Sequence, residues 1–163
     1  MTLLESLGVA EMSSINRGTV SAEHDLLLVG PDRVLVPLRA ALRYSSQDPY
    51  AVTIAFDAGL GEPVEWTFSR ELLAAALRGP VGIGDVRVWP SAASADAEDR
   101  VSAGAGDKIL NIVLGPPTGY ARFETDAAEI EAYLARTYDL VPVGQETACL
   151  DLDAELTELL GQA

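Results

Sequence analysis

Cysteine is almost missing from this chain. Cys149 stands alone among 163 residues, and a lone thiol closes no intrachain disulfide, so the fold must hold without covalent staples. Histidine and lysine also occur once each, as His24 and Lys108. Aromatic residues make up only 6% of the chain. Basic residues are scarce as well: 11 against 25 acidic ones, a formal net charge of -14. A surface of that sign repels nucleic acid and anionic membrane except at a local basic patch. No apolar run approaches the roughly 18 residues of a membrane span. The first residues lack the basic start and apolar core of a secretory signal. The expectation is a soluble cytoplasmic protein.

The catalytic vocabulary is equally thin. There is no GxSxG elbow, no HExxH and no CxxC. Cys149 has no local base, and His24 sits among apolar neighbours without a second ligand at metal spacing. Asp48 and Asp57 bracket a strand beside turn residues, where aspartate usually caps backbone. Gly79, Gly82 and Gly84 follow a helix and precede a strand, the reverse of a phosphate loop. The expectation is a protein that is not an enzyme, with no cofactor and no metal.

What is present is strand pattern. A hydrophobic fraction of 48% over 163 residues suits one domain with its own core. Period-two alternation puts Val34, Val36 and Leu38 on one strand face, then Val52, Ile54 and Phe56, then Val64, Trp66 and Phe68. A first strand spans Thr19 to Val29, a second about Arg33 to Tyr44, a third Tyr50 to Asp57 and a fourth Val64 to Phe68. Pro37 inside the second marks an edge position, a bulge or two strands in series. The connections are too short for parallel crossovers, so the strands are antiparallel.

Ser69 reads as the N-cap of a helix that stops at Gly79 and Pro80. Val81 to Gly84 reads as a flexible turn, and Asp85 to Pro90 as a strand ended by its proline. Residues 91–107 are small, polar and acidic, and read as a mobile loop. Lys108 to Leu114 is apolar on both faces apart from Asn111, hence central and covered; Tyr120 to Glu124 follows it. Asp126 with Glu129 has capping-box spacing for a helix ending near Arg136 or Thr137. A last helix runs from about Asp153 to Leu160. The fold class is therefore α+β: two antiparallel sheet segments with packed helices. Residues 1–17 form a flexible leader and 18–163 a single domain.

The residues best suited to protein recognition are Arg43 and Tyr44, and Arg87 and Trp89, since arginine and large aromatics are favoured interface anchors. The acidic stretch 121–163, with ten acids and two bases, reads as a solvated helix face rather than a docking surface.

Several blocks together carry a family likeness. They are Val36–Pro37–Leu38 leading to Leu42–Arg43–Tyr44; Asp48–Pro49–Tyr50–Ala51–Val52; Val64 to Leu73, VEWTFSRELL; Gly82 to Pro90, GIGDVRVWP; and Asp151 to Leu156, DLDAEL. Over residues 18 to 160 the chain resembles the SsgA-like sporulation and cell-division regulators of actinobacteria, most of all their division-recruiting member. The leader and the stretch from Ala92 to Gly106 are longer than the family pattern. The resemblance implies a non-enzymatic adaptor that recruits or stimulates the tubulin-like division GTPase at the sporulation septum, in concert with related family proteins. It also implies a whirly-like topology of the kind found in single-stranded-DNA binders, and a homo-oligomer such as a trimer. Single-stranded nucleic-acid binding and guidance of cell-wall remodelling enzymes are the alternatives.

Overall fold

The computed structural model describes residues 17–59, 61–93, 108–150 and 152–161. The expected leader and most of the expected loop at 91–107 lie outside the described residues. Among the described residues eight strands and three α-helices follow in order. Four strands, β1 (Thr19–Val29), β2 (Leu35–Ser45), β3 (Asp48–Asp57) and β4 (Val64–Ser69), lead into α1 (Arg70–Ala76). Four more, β5 (Val81–Ile83), β6 (Val86–Ala92), β7 (Lys108–Leu114) and β8 (Ala121–Asp126), lead into α2 (Ala127–Leu140), and α3 (Leu152–Gly161) closes the chain.

The strands form one antiparallel sheet in the order β4-β3-β2-β1-β8-β7-β6-β5. The two four-stranded halves meet at a thin seam, where only Leu27↔Glu124 and Leu28↔Phe123 pair. The sheet is strongly curled. Phe56 on β3 and Phe123 on β8 are three strand steps apart, ~14 Å in a flat sheet, yet their rings stack with centroids 4.4 Å apart. Helix α2 fills the opening beside the seam. Its Tyr133 hydroxyl donates to the Val20 carbonyl at 3.0 Å, and Arg136 donates to the Ser21 carbonyl at 3.3 Å.

Alternation decides which residues meet the helices. Ala40, Leu42 and Tyr44 pair with Phe56, Ile54 and Val52, Leu38 pairs with Leu26, and all of them join Leu73, Ala76, Ile130, Tyr133 and Leu134 in the core. Helices α1 and α2 start where expected. The Ser69 hydroxyl accepts from Leu72 N at 3.2 Å, and the Asp126 carboxylate accepts from Ala128 N at 2.8 Å.

Four expectations are corrected. Val81–Ile83 is a strand paired to β6, not a turn. β6 does not stop at Pro90 but continues to Ala92. β5 covers only Val86 to Val88, so Pro90 sits where one ladder side is open and its missing N–H breaks nothing. Pro37 likewise lies beyond the end of β3, whose pairing with β2 begins at Arg39. Third, α2 runs one turn past Thr137, to Leu140. Fourth, Glu129 makes no capping box: its carboxylate is 3.0 Å from His24 Nδ1, across from α2 to β1. No helix among the described residues is long and apolar enough to cross a membrane.

Candidate functional site

The sheet face opposite the core residues Val88, Leu110 and Ile112 carries Arg87 and Trp89. Register puts Trp89, Asn111 and Glu124 in one row across β6, β7 and β8, with Arg87, Val113 and Arg122 in the next. These residues form a network. Asn111, fully buried, donates through Nδ2 to the Trp89 carbonyl at 3.2 Å and to the Ser91 hydroxyl at 2.9 Å. Arg122 donates to Asn111 Oδ1 at 2.8 Å and to Glu124 at 3.2 Å. Its guanidinium lies over the Trp89 ring, 5.6 Å from the centroid, at cation–π distance.

Trp89 is thus held from one side by a cation that is itself held by a buried amide. Such preorganisation cuts the ordering cost of a docking contact. Glu124 offsets the charge of Arg122. Arg87 is exposed and has no ion-pair partner among the described residues, so it supplies the free positive charge of the patch.

The structure separates the four residues singled out in sequence. Arg87 and Trp89 are brought together. Arg43 shares their face, but in register it lies six residues along β2 from the row of Trp89, about 20 Å away. There it makes an exposed ion pair with Glu65, of a type contributing at most about 1 kcal/mol. Tyr44 is corrected: it is a core residue, 2% exposed. Its hydroxyl donates to the Pro49 carbonyl at 3.0 Å, and burial pushes the phenol up to about 12. Alternation carried the signal, since Tyr44 has the parity of Leu38 and Leu42 rather than of Arg43.

Sequence reasoning also missed two polar centres. Arg70, in the first turn of α1, is 2% exposed. It donates to the Thr137 and Val141 carbonyls at 3.1 and 2.8 Å and to the Glu146 carboxylate at 2.8 Å. Its guanidinium also lies over the rings of Tyr44 and Tyr138, at 5.0 and 4.3 Å. It ties α1 to the last turn of α2 and to the segment after it. Glu146 is held below the ordinary carboxylate range by its own backbone N–H and, after that, by Arg70. Arg122 is the other; it is the cation that aims Trp89, and nothing in its local sequence marks it.

The groups that suggested catalysis are occupied structurally. His24 is bonded to Glu129 and lies edge-on to Tyr133. The Asp57 carboxylate accepts from Gly59 N at 2.8 Å, as a turn aspartate does. Cys149 packs at the edge of the core. Among the described residues no three His, Cys, Asp or Glu groups come together as a metal site.

The family model described as "Streptomyces sporulation and cell division protein, SsgA" matches residues 38–146. The chain is 46% identical over 142 residues to a sporulation-specific cell division protein SsgB of Thermobifida fusca, covering 87% of this chain and 95% of that one. It is 42% identical over 145 residues to the protein of the same name in Streptomyces coelicolor, covering 89% and 98%. A crystal structure of an SsgA-like sporulation-specific cell division protein from Thermobifida fusca superposes with a TM-score of 0.73 at 44% identity, over 88% of this chain and 96% of that one. The chain belongs to the SsgA family of sporulation and cell division proteins.

Proposed function

We propose that this chain is a non-enzymatic adaptor in sporulation-specific septum formation, recruiting or stimulating the tubulin-like division GTPase. Its relatives carry the name of sporulation-specific cell division proteins, which supports a role in septation. The observation that carries the contact itself is the Arg122-braced Trp89 beside Arg87, which has no ion pair among the described residues. On a chain of net charge -14, a local positive patch is where long-range forces favour an acidic partner. It therefore orients an acidic segment and anchors it on a preset aromatic ring. The adaptor works from the cytoplasm and concentrates at the septum, where several copies strengthen a weak contact by avidity.

Two ββββα units side by side in one sheet support the whirly-like reading of the topology. Single-stranded nucleic acid is the second reading of the same patch, because a tryptophan with arginines on a sheet face is also what stacks a base. The buried Glu124 carboxylate next to Arg122 and the overall charge weigh against it. The test is co-sedimentation with the same organism's division GTPase, with and without GTP, beside a gel shift with labelled single-stranded DNA at low salt. GTP-dependent pelleting without a DNA shift supports the adaptor. A salt-sensitive DNA shift without pelleting replaces it with the nucleic-acid reading.

A further inference from the structure

Where a strand of this sheet outruns its neighbour, proline stands on the open stretch. Pro37 lies beyond the end of the β2–β3 pairing, and Pro90 beyond the end of β5. A residue without an N–H is an incomplete template for a further strand. β4 is different. It ends the sheet and, among the described residues, pairs with β3 alone. One whole side of its six residues, VEWTFS, is therefore an open ladder about 20 Å long. Folded proteins ordinarily guard such an edge with proline, lysine, a bulge or a very short strand. β4 holds no proline and no lysine, and its register with β3 is unbroken from Val64 to Ser69. Its one charge, Glu65, is offset by the ion pair with Arg43.

Alternation gives this edge two unlike sides. Val64 and Trp66 share the face of Phe68 and pair with Phe56 and Ile54 of the core. Val64 is 60% exposed and Trp66 half-buried, so the apolar surface of the core runs out into solvent at the edge. Glu65 and Thr67 are exposed on the other face. A strand added here sets apolar side chains beside Val64 and Trp66 and polar ones beside Glu65 and Thr67. The charges flanking the edge are acidic. Glu62 precedes it and Glu71 follows it, both exposed and neither with an ion-pair partner among the described residues. A second copy fits badly. Antiparallel pairing of β4 with another β4 brings Glu62 against Glu71, and parallel pairing brings each acid against itself, like charges that repel.

We infer that β4 takes up an extended segment of a different protein as a further strand of the sheet. The segment is apolar at alternate positions and basic at its ends. Main-chain hydrogen bonds hold it, and the Val64–Trp66 surface selects its side chains. β4 shares no ladder with β6, β7 or β8, so this contact is distinct from the Trp89 patch and stands or falls separately from the adaptor reading.

The test uses the full chain and a labelled synthetic peptide, Lys-Val-Thr-Val-Thr-Val-Thr-Lys. Its controls are the same peptide N-methylated throughout and one with glutamate at both ends. Fluorescence anisotropy reads binding, and hydrogen exchange with mass spectrometry locates it. The lysine-ended peptide is expected to bind saturably and to slow amide exchange in residues 64–69. Both controls are expected to bind more weakly, and Glu62→Lys/Glu71→Lys, shown folded by circular dichroism, to lose about tenfold in affinity. No saturable binding overturns the inference. So does equal binding of either control, unchanged affinity of the double variant, or slowed exchange only outside residues 64–69. Slowed exchange in 64–69 that grows with protein concentration in the absence of peptide assigns the edge to a second copy and overturns it too.

Discussion

Replacing Arg70 by alanine removes the centre of the contact between α1 and the end of α2. The guanidinium makes two hydrogen bonds to carbonyls and one to Glu146, and lies over two tyrosine rings. Without it, a carboxylate that is only 16% exposed loses its partner. Breaking one side of a buried ion pair costs about 3–5 kcal/mol, out of a total stability of roughly 5–15 kcal/mol for an ordinary domain. At about 2–4 °C per kcal/mol for a chain of this size, Tm falls by about 6–20 °C. Urea unfolding followed by circular dichroism measures the loss. Arg70→Met/Glu146→Gln, which removes both charges and keeps the bulk, is expected to lose less than the two single changes summed. A loss below about 1 kcal/mol for Arg70→Ala would refute the reasoning, since that is the range of an exposed pair.

Other outcomes follow from the same geometry. Tyr44 and Tyr133 are both pushed up to about 12 by burial, while a phenol in the unfolded chain ionises near 10 (about 10). Their contribution is fully present below about pH 10 and is lost as pH rises toward 12, by roughly 2–3 kcal/mol each; a urea midpoint flat across that window would contradict it. Glu146 is held low, so its contribution is present above the unfolded carboxylate pKa and is lost as pH falls through the folded one. Glu146→Gln is then expected to flatten the acid limb of the stability profile. Gly115 has φ +110, and an added Cβ would lie 2.7 Å from the Gly119 carbonyl oxygen. Gly115→Ala should cost about 1–3 kcal/mol in urea unfolding, and a neutral effect would argue against this turn.

What the sequence disclosed and what it hid have physical causes. β1 was legible because its alternation is unbroken from Val20 to Leu26 and an apolar run then reaches Val29 before Gly30. The starts of α1 and α2 were legible because a capping side chain is a local device. β5 was not, because three residues with a central glycine show no period. Gly82 is there because a Cβ would meet the Val86 carbonyl oxygen at 3.0 Å. The buried Arg70 escaped because its partners lie 67 to 76 residues further along the chain. Tyr44 was misplaced by its neighbour Arg43, although strand parity assigned it to the core. Half of the proposed contact patch, Arg87 and Trp89, was legible from residue type. Arg122 and Asn111, which fix the ring, become visible only when β7 and β8 are set beside β6.

The central proposal, that this patch docks the division machinery, is tested most directly by co-sedimentation with GTP-assembled filaments of the division GTPase. Wild type, Arg43→Ala and Arg87→Ala/Trp89→Ala are compared side by side, each shown folded by circular dichroism. Wild type and Arg43→Ala are expected to pellet alike, and the double variant to remain in the supernatant. Equal pelleting of all three would contradict the patch, and no pelleting of wild type would contradict the adaptor reading itself.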